Sequence, residues 1–381
     1  DRLQGTSNSI HRAERTLQTT EPRCAKPYVA TARMLAVAAA GCALALALLV
    51  AFGGSAQAQQ TITVSPGESI QAAIDGAANG DTIIVEPGTY VGGIDYKGKS
   101  ITISSTGGPD VTTIDGNNDR GVDIGPGGTF SGFTVTNSAD SFGAGMAVSG
   151  NGSVITGNVF GGNRQGAGGF GAAIGGNGAS PTIVGNRFTA NTCDGQHLSG
   201  VVSFVNSSSP LIINNVFHDN PCPAIHFSAP SGTQPRVANN TIVRNRTGVS
   251  ASASGNDGLI VVENNIVVDN DRGIVVPEFR NEERVRDRHN LVFGNGTNYD
   301  GIPDPGGLAG NISVDPHMLH GGDFSLLPGS PAIDAGRVGT ADLPDTDFAG
   351  GARVLGSVVD IGADEFSNDA ADICASANPT V

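Results

Sequence analysis

Positive charge is what this chain most conspicuously lacks. Lys and Arg number 21 against 36 Asp and Glu, for a formal net charge of −15. That shortage argues against nucleic acid and anionic membrane surfaces as partners, and it repels a polyuronate unless a cation intervenes. Tryptophan is absent, and aromatic residues make up 5% of the 381 positions. Helical periodicity is missing from the whole stretch between Gly152 and Asn295, which excludes an array of helical repeats. His and Cys at zinc-type spacing are missing as well. Gly166-Ala-Gly168-Gly-Phe-Gly171 has the glycine spacing of a dinucleotide fingerprint, but no helix or βαβ unit surrounds it, so that reading is discarded.

What is abundant is glycine, 56 residues, and asparagine at fixed intervals. An Asn, an apolar residue two places on and a second Asn five places on recur six times. The copies begin at Asn158, Asn186, Asn215, Asn240, Asn265 and Asn290 and end at Asn163, Asn191, Asn220, Asn245, Asn270 and Asn295. Successive copies lie 28, 29, 25, 25 and 25 residues apart, the length of one rung of a stacked solenoid. Two places after the first Asn stand Phe160, Phe188, Phe217, Ile242, Val267 and Val292. Three places before it stand Ile155, Ile183, Ile212, Val237 and Val262, with Asp287 breaking the column.

Short β-branched and aromatic runs bounded by Asn and Gly are strands, so each rung reads as strand, turn, strand, turn. The expected fold is all-β, a solenoid of stacked β-strand rungs. Stacking places like residues about 4.8 Å apart. Phe over Phe fills the interior, while Asn over Asn occupies tight turns, tolerates a left-handed backbone and bonds to the rungs above and below. Cys193 and Cys222 hold equivalent places on adjacent rungs, within reach of a disulfide. Cys24 and Cys42 fall in the N-terminal segment, and Cys374 has no evident partner.

Residues 1–58 read as an upstream segment and a signal peptide. Arg23, Lys26 and Arg33 precede an apolar run from Leu35 to Phe52, and Ser55-Ala56-Gln57-Ala58 offers a small-x-small cleavage site after Ala58. An uncleaved membrane anchor is the alternative. Cleavage takes away six of the 21 basic and three of the 36 acidic residues, leaving −18 and no membrane span in the mature chain. The chain is then secreted or held in the cell envelope, and it is expected to be a monomer. Residues 59–126 form an N-terminal cap and irregular first rungs, including an amphipathic helix with Ile70, Ala73 and Ile74 on one side. Residues 127–298 form the regular rungs, 299–366 a C-terminal cap, and 367–381 a disordered tail.

Ser69-Ile-Gln-Ala-Ala-Ile followed by Gly80-Asp-Thr-Ile-Ile-Val-Glu-Pro-Gly-Thr-Tyr90 resembles the opening of the pectin-lyase-like superfamily of right-handed parallel β-helices. Phe324-Ser-Leu-Leu-Pro-Gly-Ser-Pro-Ala-Ile-Asp-Ala-Gly336 and Val359-Asp-Ile-Gly-Ala-Asp-Glu-Phe366 are similar to the closing segment of its secreted bacterial members. The resemblance implies the fold from Thr61 to Phe366. It leaves activity open among lyases, hydrolases, epimerases and non-catalytic surface proteins. The acidic and Arg-Ile-Lys motifs of similar polygalacturonases and the Trp-containing segment of similar pectate lyases are missing here.

A solenoid offers one long shallow face, suited to an extended polymer, so its partner is expected to be a polysaccharide or cell-surface glycan. Asp219, Arg244 and Asp269 occupy one position on three consecutive rungs. The strand that follows each rung points Val202, Ile225 and Val249 inward and Ser203, His226 and Ser250 outward.

A uronate lyase needs a base for the proton beside the carboxyl group and a cation for the enolate that forms. Arg244, Asp219, Asp269 and His226 are therefore the catalytic candidates, with Arg246, Arg272, His218 and Ser203 as substrate-binding ones. Asp219 with Asp269 is the candidate calcium site, carboxylates being hard-cation ligands. A solvated charge ladder is the alternative for Asp219, Arg244 and Asp269. The leading function is polysaccharide engagement, by a lyase if the chain is an enzyme, with glycoside hydrolase or epimerase behind it. The alternative is a non-catalytic structural or adhesive cell-surface protein.

Overall fold

The computed structural model describes residues 58–194, 200–229, 232–253, 258–276, 284–337 and 342–367. The apolar run, most of the cleavage motif, Cys24, Cys42 and Cys374 lie outside them. Among the described residues, no helix is long and apolar enough to cross a membrane.

The coil has three sides, one more than the two-strand rung read from the sequence. Sheet 1 stacks ten strands from Thr61–Val64 to Val285–Arg288. Sheet 2 stacks nine from Gly88–Val91 to Leu291–Phe293, and sheet 3 nine from Ile94–Asp95 to Thr297–Asp300. One coil runs through Ser180–Val184, Arg187–Thr189 and Val202–Val205, each paired in parallel with its counterpart on the next rung. The two residue columns of the repeat thus belong to different sheets, and the first Asn is the corner between them.

Both Asn columns are buried ladders. Asn186 N donates to Asn215 Oδ1 at 2.9 Å, and its Nδ2 reaches the same oxygen at 3.0 Å and Ile155 O on the preceding rung at 2.9 Å. The pattern repeats down the first column to Asn290, whose N donates to Asn311 Oδ1 at 2.8 Å. The second column runs in the same way from Asn163 to Asn295. Each amide therefore satisfies backbone groups that a buried corner would otherwise orphan.

The left-handed backbone falls one residue earlier than the ladder Asn. At the first corner it is Gly157, Gly185, Asn214, Asn239, Asn264 and His289, with φ between 51° and 66°. At the second corner it is Gly162, Ala190, Asp219, Arg244, Asp269 and Gly294.

The interior is a stack of like side chains. Phe188 lies on Phe217 with ring centroids 4.4 Å apart and planes at 9°, and on Phe160 at 5.3 Å. Cys193 and Cys222 form a disulfide, Cα to Cα 5.7 Å. At the N-terminal end the helix Ile70–Gly76, capped by Ser69, buries Ile70 and Ile74 in the core.

The segment expected as an end cap lies along the solenoid's side. Met318, Phe324, Leu326, Ala332, Ile361 and Ala363 pack on the outward residues of sheet 2, among them Val216, Val243, Ile266, Val268 and Leu291. The first corner row fastens this strap. Asn214 Nδ2 donates to Thr346 O, Asn239 Nδ2 to Asp360 O and Asn264 Nδ2 to Arg337 O at 3.2–3.3 Å. Arg353 is fully buried inside the strap, with Nη1 2.7 Å from Glu365 Oε2 and Nη2 donating to Asp360 O and Gly362 O. The corner row changes from Gly to Asn at the rungs where the strap docks.

Candidate functional site

The second corner brings three of the expected residues together. Asp219 accepts from Arg244 Nε at 2.7 Å through Oδ1 and from Arg244 Nη2 at 2.8 Å through Oδ2. Oδ2 also lies 2.7 Å from His218 Nδ1. The guanidinium beside it, then the imidazole, hold the Asp219 carboxyl down to about 2. Arg244 is pushed up by the same pairing, which makes it a cation and removes it as a base.

Burial lowers the His218 pKa, partly countered by Asp219, so the ring is neutral at pH 7. With Nδ1 turned to Asp219, Nε2 is left as the basic nitrogen; it is buried and has no partner among the described residues. The strap completes the group: Phe324 packs 5.2 Å from the imidazole and 5.3 Å from the Arg244 guanidinium.

Arg244 holds its place at a cost. Its φ of 52° is a conformation that favours Gly, Asn or Asp, and Gly162 and Gly294 occupy the same row. Retaining an arginine there spends backbone energy on a side chain that reaches Asp219.

The other expected residues separate from this group. Asp269 is exposed and makes no ion pair among the described residues, so Arg244 pairs on one side rather than between two carboxylates. The arrangement does not fit calcium. Both Asp219 oxygens are taken by Arg244 and His218, and among the described residues no group of three or more His, Cys, Asp and Glu could hold a metal ion. Ser203 and His226 do point away from the core, but they are covered, at 0% and 4% exposure. His226 Nδ1 lies 3.4 Å from Ser250 Oγ, and burial depresses its pKa to about 4. Unlike His218, this ring has no carboxylate among the described residues to orient it. Arg272 pairs with Asp300 at 3.3 Å in solvent, and Arg246 is exposed on the same turn.

Four residues that the sequence reading passed over stand beside the corner. Arg187, Phe324, Phe348 and Asp364 line a pocket of ≈ 250 Å³ between sheet 2 and the strap. Arg187 Nη1 donates to Gly322 O at 2.6 Å, and its guanidinium lies 5.2 Å over the Phe348 ring. Burial, with Asp347 behind it, pushes Asp364 up to about 7. The signal for Arg187 was in the columns: it is the one charged residue in a row that reads Thr89, Thr113, Thr134, Val159, Arg187, Val216, Thr241, Ile266 and Leu291.

Parallel coils of three sheets, with a polar corner and a pocket on one side, define the class: the chain is a right-handed parallel β-helix. The family profile described as "Right handed beta helix region" matches residues 101–266. Among solved structures, the pectate lyase Pel9A is similar at a TM-score of 0.50 and 14% identity, covering 81% of this chain and 97% of that one. An alginate lyase from Paenibacillus sp. str. FPU-7 is similar at a TM-score of 0.33 and 13% identity, covering 64% of this chain and 98% of that one. No curated protein matches the chain.

Proposed function

We propose that this β-helix is an exported protein that engages a polysaccharide along the strap-covered side, and that its second corner carries lyase chemistry. The observation that carries the reading is His218, neutral, oriented through Nδ1 by Asp219, with an unpartnered Nε2, beside two arginines. An imidazole in that state is a base, and a guanidinium beside it stabilises the negative charge left when a proton is removed next to a carboxyl group. Arg244 and Asp219 act as positioning residues for that ring. The disulfide supports export, since such bonds persist in oxidising compartments. One fold neighbour is a pectate lyase by name; at 14% identity it speaks for the fold, and the substrate class rests on the site.

A non-catalytic structural or adhesive role is the second reading. It is favoured by Asp219 and Arg244 satisfying each other and by the enclosure of Ser203 and His226.

Incubation with pectate, alginate and glycosaminoglycans separates the two. Lyase action yields an unsaturated product that absorbs in the ultraviolet, and His218→Ala abolishes it. Arg244→Gly is the informative companion. It relieves a left-handed arginine worth about 1 kcal/mol and removes a half-exposed ion pair worth about the same or less, so stability stays near wild type. Activity falls and its pH profile shifts as the imidazole loses its fixed orientation. A flat response across the polymer panel would leave the structural reading.

A further inference from the structure

The pocket beside the corner has its own logic. Arg187 is half-buried yet has no carboxylate within ion-pair distance among the described residues. Two other arginines in strap contacts are paired. Arg236 meets Glu263 and Asp342, and Arg353 meets Glu365. Burial lowers the Arg187 pKa, the sign of a cation stripped of water without a full counter-charge. A desolvated, unpaired guanidinium is costly in any fold, and more conspicuous in a chain with an excess of acid.

The two carboxylates in the lining do not discharge it. Asp323 is turned to the N–H and hydroxyl of Ser325. Asp364 accepts from Leu326 N at 3.3 Å. Phe324 and Phe348 form apolar walls, and Thr241, whose Oγ1 accepts from Ala363 N at 3.0 Å, keeps a hydroxyl proton to donate. A space of ≈ 250 Å³ is smaller than pockets for drug-sized ligands and suits a single ring.

We infer that the Arg187 pocket is a binding site for one carboxylate-bearing unit of about the size of a sugar, held by the guanidinium fork against the Phe324 and Phe348 walls. The planar fork matches a carboxylate in two parallel bonds, which a neutral hydroxyl cannot reproduce. The site does not depend on the corner being catalytic or on a polymer being the ligand.

Calorimetric titration of the full chain with sodium glucuronate, and separately with glucose, tests it. These probes differ in the acid group alone. Glucuronate binds, glucose does not, and Arg187→Gln weakens glucuronate binding by about tenfold or more, the loss expected for charge-assisted hydrogen bonds. Equal binding of glucose, an unchanged Arg187→Gln variant, or no glucuronate binding by the wild type overturns the inference. Should Arg187→Gln fail to fold, Asp323→Asn replaces it: removing the lining carboxylate whose charge acts on the guanidinium tightens binding, and unchanged or weaker binding counts against the pocket. Glucuronate binding together with silence toward every polymer contradicts the polysaccharide reading and leaves the pocket standing.

Discussion

The outward side of sheet 2 is two surfaces joined end to end. Over the early rungs it presents Thr89, Thr113, Thr134 and Thr136 to solvent, with Val91 68% exposed. From Val216 onward the same positions hold Val216, Val243, Ile266, Val268 and Leu291, all buried under the strap. The interior runs through both halves, and the Asn ladders, which begin at Asn158 and Asn163, cross from one to the other with the same geometry. What differs is the outward residue on each strand and the corner residue before the ladder Asn, Gly157 and Gly185 early, Asn214, Asn239 and Asn264 late. Solenoid stability and site assembly are thus written in different columns, and Arg187 stands at their border.

Breaking the strap from within gives the largest expected effect. Arg353→Ala leaves Glu365 buried without its partner, a loss of about 3–5 kcal/mol. Hydrogen exchange then accelerates through residues 342–367 while the Phe188 and Phe217 rungs keep their protection. Ile266→Ala, under the strap, costs about 2–5 kcal/mol, whereas Thr89→Ala on the bare half stays within about 0.5 kcal/mol. Chemical denaturation of the pair measures that contrast.

The ladders ignore the border. Asn158→Ala and Asn215→Ala each orphan buried donors on the neighbouring rung and cost about 1–3 kcal/mol per site. A much smaller loss in one half would show that the two ladders are not equivalent.

Acid separates the halves with opposite sign. Asp364 in the strap has its folded pKa raised to about 7 by burial. Its contribution is therefore fully present below its ordinary value of 3.8 and is lost as pH rises through 7. Asp81 near the N-terminal helix accepts from Gln60 N and Ala78 N, which lower its pKa. That contribution is present above 3.8 and lost as pH falls through the lowered value. Exchange rates across pH 3–8 should rise with pH in the strap and fall with pH around Gln60 and Ala78, once corrected for intrinsic exchange. Asp364→Asn flattens the first trend.

Much of the solenoid was legible because stacking converts a sequence interval into a contact. Six Asn pairs and a Phe column at nearly constant spacing fix the register, and the register alone places Cys193 against Cys222. The third side was harder to read, since within the repeat the sheet 2 strands are three residues long and a corner hidden there looks like a strand continuing. Period-two alternation correctly set Ser203 and His226 on the outward face of sheet 3. It carries no information about what covers that face, which is why both appeared accessible. The strap was recognised by its sequence, but its docking place depended on a column not weighed against it, the switch from Gly to Asn before each first ladder Asn. Asp287, noted as a break in an apolar column, is half-buried with its carboxyl pushed up to about 6, held by Asn290 and Asn311 where the first ladder ends.

The most direct measurement is hydrogen exchange of the full chain with and without a short oligouronate. Protection gained at residues 322–325 and 348–349 and at the Arg187–Thr189 and Val216–His218 strands is the predicted result. Protection confined to the bare rungs between Thr89 and Gly161, or no change anywhere, would contradict a ligand site under the strap.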